Sequence, residues 1–529
     1  MIVERFPVFP ELQEMFGNQV VSMGTESDKQ LYLDVAGPDV RGFVEHLRRE
    51  HGARIVTVFA EDRRSREGLF YNYYVFEQTG NPQYLVLRAP IHPHDQEFPS
   101  LSAELPAVNW HEREIQDWFG LRAVGHPNPR RVSMHDNWPD VHPLRKDFAI
   151  GTLLPRFEGE RHIYRPALGE GVLQVPVGPV HAGIIEPGHF SFAVAGEPIL
   201  YLQLRMFYTH KGTEKLFESL PVHKAVFLAE SISGDSSFSH GTAFCQAIER
   251  AAEIEVPLSA LMTRTILLEL ERIYNHVADI GAIATDVGFV VANAHASRLR
   301  EMLVSLNEEM TGNRLLRGMV CVGGVRRPWQ PGHHHTLRRA VDLFDRDFDR
   351  LIALIESSDS TRDRLEHTGI LRPEKARDLG IVGVGGRASG IDLDVRRDHP
   401  YAAYDHFPFH VPVYQAGDVW HRMQVRIDEV NESISILRRA TEHPLEGAHC
   451  APARPIPPDR CALSAVEGWR GEIIHWVRTG RDNRLERCKV KDPSLNNWPA
   501  LVEAVQGNII ADFPVINKSF NLSYSGTDR

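Results

Sequence analysis

Six prolines between residues 121 and 175 (Pro127, Pro129, Pro139, Pro143, Pro155 and Pro166) divide this chain into two parts with different hydrophobic patterns. Proline lacks the amide that helix interiors and central strands need, so the stretch reads as a loop-rich connector. Before it lies the pattern of a small α/β unit. Gln30–Val35 alternates as a strand, and Val40–His51 has helical periodicity. Residues 54–60, 69–76 and 84–91 are runs rich in β-branched and aromatic side chains, which suit strands. Residues 110–120 read as an amphipathic helix stopped by a glycine. After the connector, residues 178–200 turn β-like, and residues 210–363 are mostly helical. Their periodic segments at 240–254, 260–285, 296–310 and 337–358 fit a packed bundle. A glycine-rich stretch at 380–390 breaks the pattern, and helix resumes at 418–441. A proline-rich loop at 452–458 precedes a short β-like stretch and the tail. The expected division is an α/β module at 1–150, a linker at 151–176, and a mainly α-helical (α+β) domain at 177–529.

Composition excludes some functions. The 59 Lys and Arg residues against 70 Asp and Glu give a net charge of −11, which argues against nucleic acid as a partner. The basic pairs Arg338 with Arg339 and Arg396 with Arg397 read as solvated helix faces or ion-paired loops. No run of 18 apolar residues occurs, so no membrane-spanning helix is expected. The first residues lack the apolar core of a signal peptide. A cytoplasmic protein is expected, with a peripheral seat on a membrane complex left open. Cys245, Cys321, Cys450, Cys461 and Cys488 contain no C-x-x-C pair and fit a reducing compartment. No strand–G-x-G-x-x-G–helix or Walker pattern points to NAD or ATP, and the glycine cluster at 383–386 is a weak signal.

Three signatures carry a family resemblance. The first is HEREIQDWFG at 111–120, followed by GHP at 125–127 and HPLRKDF at 142–148. It is similar to the small hydrophilic subunit of complex I that sits beside the quinone-site subunit. The second is VGPVHAGIIEPGH at 177–189, followed by HKGTEK at 210–215. The third is ELERIYNH at 269–276, with DVGF at 286–289 and GGV at 323–325. These two resemble the quinone-site subunit of complex I (NADH–quinone oxidoreductase) and the large subunit of membrane-bound, formate hydrogenlyase-type nickel–iron hydrogenases. The resemblance spans most of the chain in the family's order. It implies a small-subunit-like α/β module fused to a hydrogenase large-subunit-like domain. The wording IIEPGH at 184–189 and KSF at 518–520 leans toward the hydrogenase side.

In such hydrogenases, two C-x-x-C pairs hold nickel as soft thiolates. The corresponding positions here are Ser233 and Ser236 in ESISGDSSFSH at 230–240, and Ser523 and Gly526 in NLSYSGTDR at 521–529. Hydroxyls are hard and stay protonated, and glycine has no side chain, so the resemblance implies a member without a nickel–iron centre and without hydrogen chemistry. Asp235 and His240 could ligate zinc or iron, or serve turn geometry and helix orientation. Hydrogenases of this kind often carry a C-terminal extension removed after metal insertion. An end at Arg529, where that cut would fall, fits a protein needing no such maturation.

The complex I precedent places a quinone headgroup in the vacated cavity, reduced from a 4Fe–4S cluster on a neighbouring subunit. The aspartate of that site corresponds to Asp286. The first histidine of its H-P-x-x-H pair corresponds to His181, whereas the second, quinone-contacting one falls at Ile185. His181 or His189 could supply a proton donor, and both have a structural alternative. Glu186 matches a glutamate at the mouth of the hydrogenase proton route, with a helix cap or salt bridge as its alternative. The expected catalytic set is therefore His181, Glu186 and Asp286, with His189 and His240 lining an acceptor cavity. Glu249, Glu269 and Glu271 read as ordinary ion pairs on exposed helix faces. The implied partners are a small iron–sulfur subunit and antiporter-like and complex I-like membrane subunits. No cofactor is expected on this chain, and the expected substrate is a quinone or another small acceptor. The competing readings are a non-catalytic scaffold or coupling subunit and, remotely, a working hydrogenase.

Overall fold

The structure is a computed structural model. It describes residues 17, 20–27, 29–35, 40–155, 158, 162, 164–181, 185–443 and 445–529. Helices and sheets are mixed, with a sheet-containing N-terminal module.

That module is a five-stranded sheet of β1 (Val20–Ser27), β2 (Gln30–Val35), β3 (Arg54–Arg63), β4 (Leu69–Gln78) and β5 (Asn81–Ile91), in the order β1-β2-β5-β4-β3. All neighbours are antiparallel except β2 and β5. Two helices, α1 (Val40–His51) and α2 (Asn109–Phe119), cover one face with Phe43, Leu47, Ile115 and Trp118 against Leu31, Leu33, Phe70 and Leu87. Gly120 ends α2 in a left-handed turn, φ +68°, beside His142 and Arg145, where a Cβ would clash. Side chains alternate across strands, so Tyr32, Phe59, Tyr73 and Val86 point to the opposite face. There they join the main core.

The loop-rich connector ends in β6 (Val172–Val177), the edge of a three-stranded antiparallel sheet with β7 (His189–Ala195) and β8 (Ile199–Arg205). Pro176 is tolerated because β6 is an edge. The helices follow: α3 (Ser237–Ala251), α4 (Leu258–Asp286), α5 (Val290–Thr311), α6 (His333–Glu356) and α8 (Val419–Ala440). α4 is buried around most of its circumference, which makes it the central rod of the bundle. A short hairpin, β9 (Val320–Cys321) with β10 (Gly324–Val325), joins α5 to α6.

Two expectations about this part are corrected. The glycine-rich stretch does not simply break the bundle but forms a short helix, α7 (Gly383–Ala388). Gly383 is there for a close approach: its φ is +65°, and a Cβ would lie 2.0 Å from Arg470 O. The β-like stretch after residue 458 is a full antiparallel sheet, β11 (Cys461–Gly468), β12 (Gly471–Thr479) and β13 (Leu485–Lys491). It packs on the open face of the N-terminal sheet. Trp476 sits 5.0 Å from Phe59 and 5.1 Å from Tyr73, Arg478 pairs with Glu61 at 2.7 Å, and Arg54 pairs with Glu472 at 2.8 Å. The chain closes with α9 (Pro493–Ala504), α10 (Phe513–Phe520) and α11 (Tyr524–Asp528).

Candidate active site

The tail is pinned deep in the protein. Arg529 is buried, and its guanidinium reaches Glu114 of the first signature. Lys489 bonds the same Glu114 at 3.0 Å, and Arg487 pairs with Glu214 of the second signature at 2.6 Å. Asp528 accepts from Thr209 N at 2.7 Å and meets His210 at 3.0 Å. Two of the family signatures thus act here as anchors for the tail.

The anchoring brings the positions 233, 236, 523 and 526 together with buried side chains. Ser233 Oγ lies 2.8 Å from Ser523 Oγ and donates to Asp235 at 2.8 Å. Ser236 Oγ accepts from Arg470 at 3.4 Å. Arg470 stacks on Trp469 at 3.8 Å and grips Asp235 at 2.7 and 2.6 Å, one guanidinium nitrogen to each oxygen. Burial works to raise the Asp235 carboxyl, but the charge and hydrogen bonds of Arg470, with the bond from Ser233, together outweigh it and hold Asp235 below the usual carboxylate range.

At the fourth position, Asp492 takes the place of a side chain. A Cβ on Gly526 would lie 2.5 Å from Asp492 Oδ2 and 2.9 Å from Ser523 Oγ. Asp492 in turn meets His240 Nε2 at 3.1 Å, and His240 Nδ1 meets His475 Nε2 at 3.1 Å. All three are fully buried. Burial raises Asp492, yet the bond and charge of His240 reverse this and lower it. His475 is driven well below the usual histidine range by burial and then by the neighbouring His240. Its Nδ1 has no partner among the described residues. The Asp492–His240–His475 chain leads inward from position 526 and can hold and pass a proton.

Gly526→Ala is expected to cost about 1–3 kcal/mol, the usual price of overpacking. Asp492→Ala in the same chain should relieve part of it, and a double-mutant cycle in urea unfolding checks the coupling.

Of the other candidate residues, Glu186 is exposed and accepts from Ser525 N at 3.0 Å, so it caps α11. His181 Nε2 is held by Gly188 O at 2.8 Å. His189 packs on Tyr164 at 4.8 Å, and burial, then Arg205, lowers its pKa. This loop touches the tail: a Cβ on Gly188 would come 2.7 Å from Tyr524. Asp286 lies at the exposed C-terminal end of α4, and its carboxyl makes no hydrogen bond among the described residues. Its link to the site runs along α4. Asp279 accepts from Asn521 at 2.5 Å and from Arg426 at 2.9 Å, and Asp286 lies two helical turns, ~10 Å, further on. Desolvation raises the Asp286 carboxyl, and Lys518 opposes it. Among the described residues, no group of three His, Cys, Asp or Glu side chains is arranged to hold a metal ion.

The glutamates read as exposed ion pairs are buried instead. Glu249 pairs with Arg264 at 2.6 Å, and Glu269 meets Arg396 at 3.2 Å. Of the two readings of the Arg396 and Arg397 pair, Arg396 takes the ion-paired one: it is fully buried and also pairs with Asp394 at 2.7 Å. Glu271 pairs with no cation among the described residues; it accepts from Phe238 N at 2.7 Å and Ser239 N at 3.0 Å, capping α3 from the side. The acid–base groups that sequence reasoning missed, Arg470 in the β11–β12 turn, His475 on β12 and Asp492 just after β13, belong to a sheet whose charged residues are buried. That mismatch is the signal that marks them.

Burial pushes Glu271 up to about 7, more than its bonds to Ser239 and Phe238 lower it. A carboxyl raised above its unfolded value of about 4.3 stabilises the fold at low pH. That contribution, on the order of 3 kcal/mol, fades as pH rises from there to about 7. Glu271→Gln should flatten the stability–pH profile across that window, measured by urea unfolding.

Residues 286–529 match the family model of the respiratory-chain NADH dehydrogenase 49 Kd subunit, and residues 33–152 match that of the 30 Kd subunit. Formate hydrogenlyase subunit 5 of Escherichia coli K12 is 33% identical over 524 residues, covering 98% of this chain and 92% of that protein. The chain belongs to this family of hydrogenase and NADH–quinone oxidoreductase subunits. The family's other side is represented by the C/D subunit of the NADH-quinone oxidoreductase of Bacteroides fragilis YCH46, 30% identical over 453 residues, 82% of this chain and 85% of that protein. A chain of the membrane-bound sulfane sulfur reductase, an archaeal respiratory membrane complex, superposes with a TM-score of 0.64. It is 25% identical and covers 68% of this chain and 99% of its own length. The protein is thus a fused 30 Kd- and 49 Kd-type subunit of an oxidoreductase complex of the complex I and hydrogenase kind. Among the described residues, no helix is long and apolar enough to cross a membrane.

Proposed function

We propose that this chain is the acceptor-reducing subunit of a membrane-associated respiratory complex. It receives electrons from an iron–sulfur cluster on a small neighbouring subunit and passes them to a quinone or another small acceptor, not to protons. The observation that carries this reading is the make-up of the vacated centre. A nickel–iron group needs soft thiolates. Here the hydroxyls of Ser233 and Ser523 are turned on each other, that of Ser233 also bonds Asp235, and position 526 is filled by Asp492. Such a donor set does not fit that group. What it keeps is proton chemistry: the Asp492–His240–His475 chain inside, and Asp286 and Glu186 at the surface. Reduction of a quinone takes up two electrons and two protons, so a site rich in acids and bases suits it. The chain would dock on antiporter-like and complex I-like membrane subunits at the inner face of the membrane.

The test uses the intact complex, purified from native membranes through a tag on this chain, with a low-potential dye as donor. Reduction of menaquinone or ubiquinone supports the reading. Reduction of polysulfide alone moves the acceptor to sulfane sulfur, the class in the structural neighbour's name. If a complex with intact clusters reduces neither, the chain is a scaffold.

A further inference from the structure

Outside this site, one pair of thiols is placed together by backbone far apart in sequence. Cys321 Sγ and Cys450 Sγ are 3.8 Å apart. The loop carrying Cys450 is fastened to the β9–β10 hairpin from both sides, by Val325 N to His449 O and by Ala451 N to Gly323 O, each 2.9 Å. Gly324 bridges directly to Cys450. The turn is bare where the sulfur lies over it: Gly323 has φ +91°, and a Cβ there would come 3.4 Å from Cys450 Sγ. Both thiols are partly exposed, whereas Cys245, Cys461 and Cys488 are buried. The hairpin is held in place by Arg264, which donates to Cys321 O at 2.9 Å and Gly324 O at 3.0 Å, and by Glu249, which accepts from Gly323 N at 2.7 Å.

We propose that Cys321 and Cys450 form a reversible dithiol–disulfide site whose reaction partners are low-molecular-weight disulfides. The Cys450 thiolate attacks a disulfide RS–SR and releases RS⁻. The Cys321 sulfur then attacks the Cys450 side of the mixed disulfide and releases the second RS⁻. The two thiol protons end on the two released RSH molecules, and the protein loses two electrons to RS–SR. Burial and the neighbouring Cys450 push the Cys321 thiol up to about 12, which makes it the resolving sulfur rather than the attacking one. Closure needs an approach of only ~2 Å, because bonded sulfurs stand about 2.05 Å apart. The bond would staple the hairpin to the segment after α8. β9 also packs on α3, the helix that carries His240: a Cβ on Gly241 would meet Val320 at 2.8 Å.

The full chain is incubated with glutathione disulfide at stepped ratios to glutathione, unfolded, alkylated and digested without reductant. A linked Cys321–Cys450 peptide, with Cys245, Cys461 and Cys488 alkylated, is the expected result. The same link should vanish on dithiothreitol treatment, and Cys321→Ser should trap glutathione on Cys450. Alkylation of Cys321 and Cys450 at every ratio, in protein that keeps its circular dichroism spectrum, overturns the proposal. So does a stable glutathione adduct on wild-type Cys450.

Discussion

Replacing Glu429 with alanine is expected to lower stability by about 3–5 kcal/mol, read as a shift in the urea midpoint. Glu429 lies on α8, fully buried, and ties three cationic or protonatable groups at once. Its Oε1 meets Arg387 at 2.6 Å, and its Oε2 meets Arg272 at 3.2 Å and His276 at 2.8 Å. Around this knot, Arg387 also holds Glu467 at 2.9 Å, and Arg396 holds Asp394 at 2.7 Å. Removing one carboxylate leaves two buried guanidiniums short of a partner, and water cannot reach them at little cost. Burial raises the Glu429 carboxyl, but Arg387 and His276 overcome this and hold it well below the usual range. A depressed carboxyl stabilises above its unfolded pKa of about 4.3 and loses that contribution as pH falls through the folded value. The variant should therefore also show a weaker loss of stability in acid. A loss below about 1 kcal/mol, the size of a surface pair, would contradict the argument.

Asp286→Asn is expected to slow acceptor reduction by the intact complex about 100-fold, within the range for loss of a positioned proton donor. Asp286 ends α4, the rod whose Asp279 grips Asn521 just ahead of Ser523. Its carboxyl makes no hydrogen bond among the described residues, and desolvation raises it against the pull of Lys518. Such an acid keeps its proton to higher pH than an ordinary carboxyl and has nothing to break before giving it up. Turnover should fall as pH rises through that raised value, and Asp286→Asn should lose this limb. Asp286→Glu should restore part of the rate. An amide at this surface position breaks no bond, so thermal stability should stay near wild type. An unchanged rate in Asp286→Asn would remove Asp286 from the chemistry.

Much of the architecture is written locally. Val40–His51 is helical as read because Phe43, Val44 and Leu47 recur at helical spacing on one buried face. The strands after it are rich enough in β-branched and aromatic residues to be placed, although β3 runs to Arg63 and β5 begins at Asn81. Helix starts are harder to read: α3 begins at Ser237, where Ser236, Ser237 and Ser239 hide the apolar period that shows from His240. β11–β13 escape the pattern because both faces of that sheet are buried, so Lys489, Lys491, Glu472 and His475 stand where apolar residues would be expected. The same holds for the site. Ser233 and Ser523, 290 positions apart, could be paired by resemblance to family strings, and they do meet. Arg470 and Asp492 belong to no such local string. Their role arises from a tail fixed by Glu114 and Glu214, which no spacing rule reaches.

The central claim is that electrons reaching this chain go to a small acceptor and not to protons on nickel. The most direct measurement is an electron balance in a sealed vessel. The intact complex receives a known amount of reduced low-potential dye in the presence of menaquinone, and quinol and hydrogen are both quantified. The account predicts that the electrons lost by the dye appear as quinol, two per molecule, with no hydrogen formed. Hydrogen accounting for those electrons would contradict it.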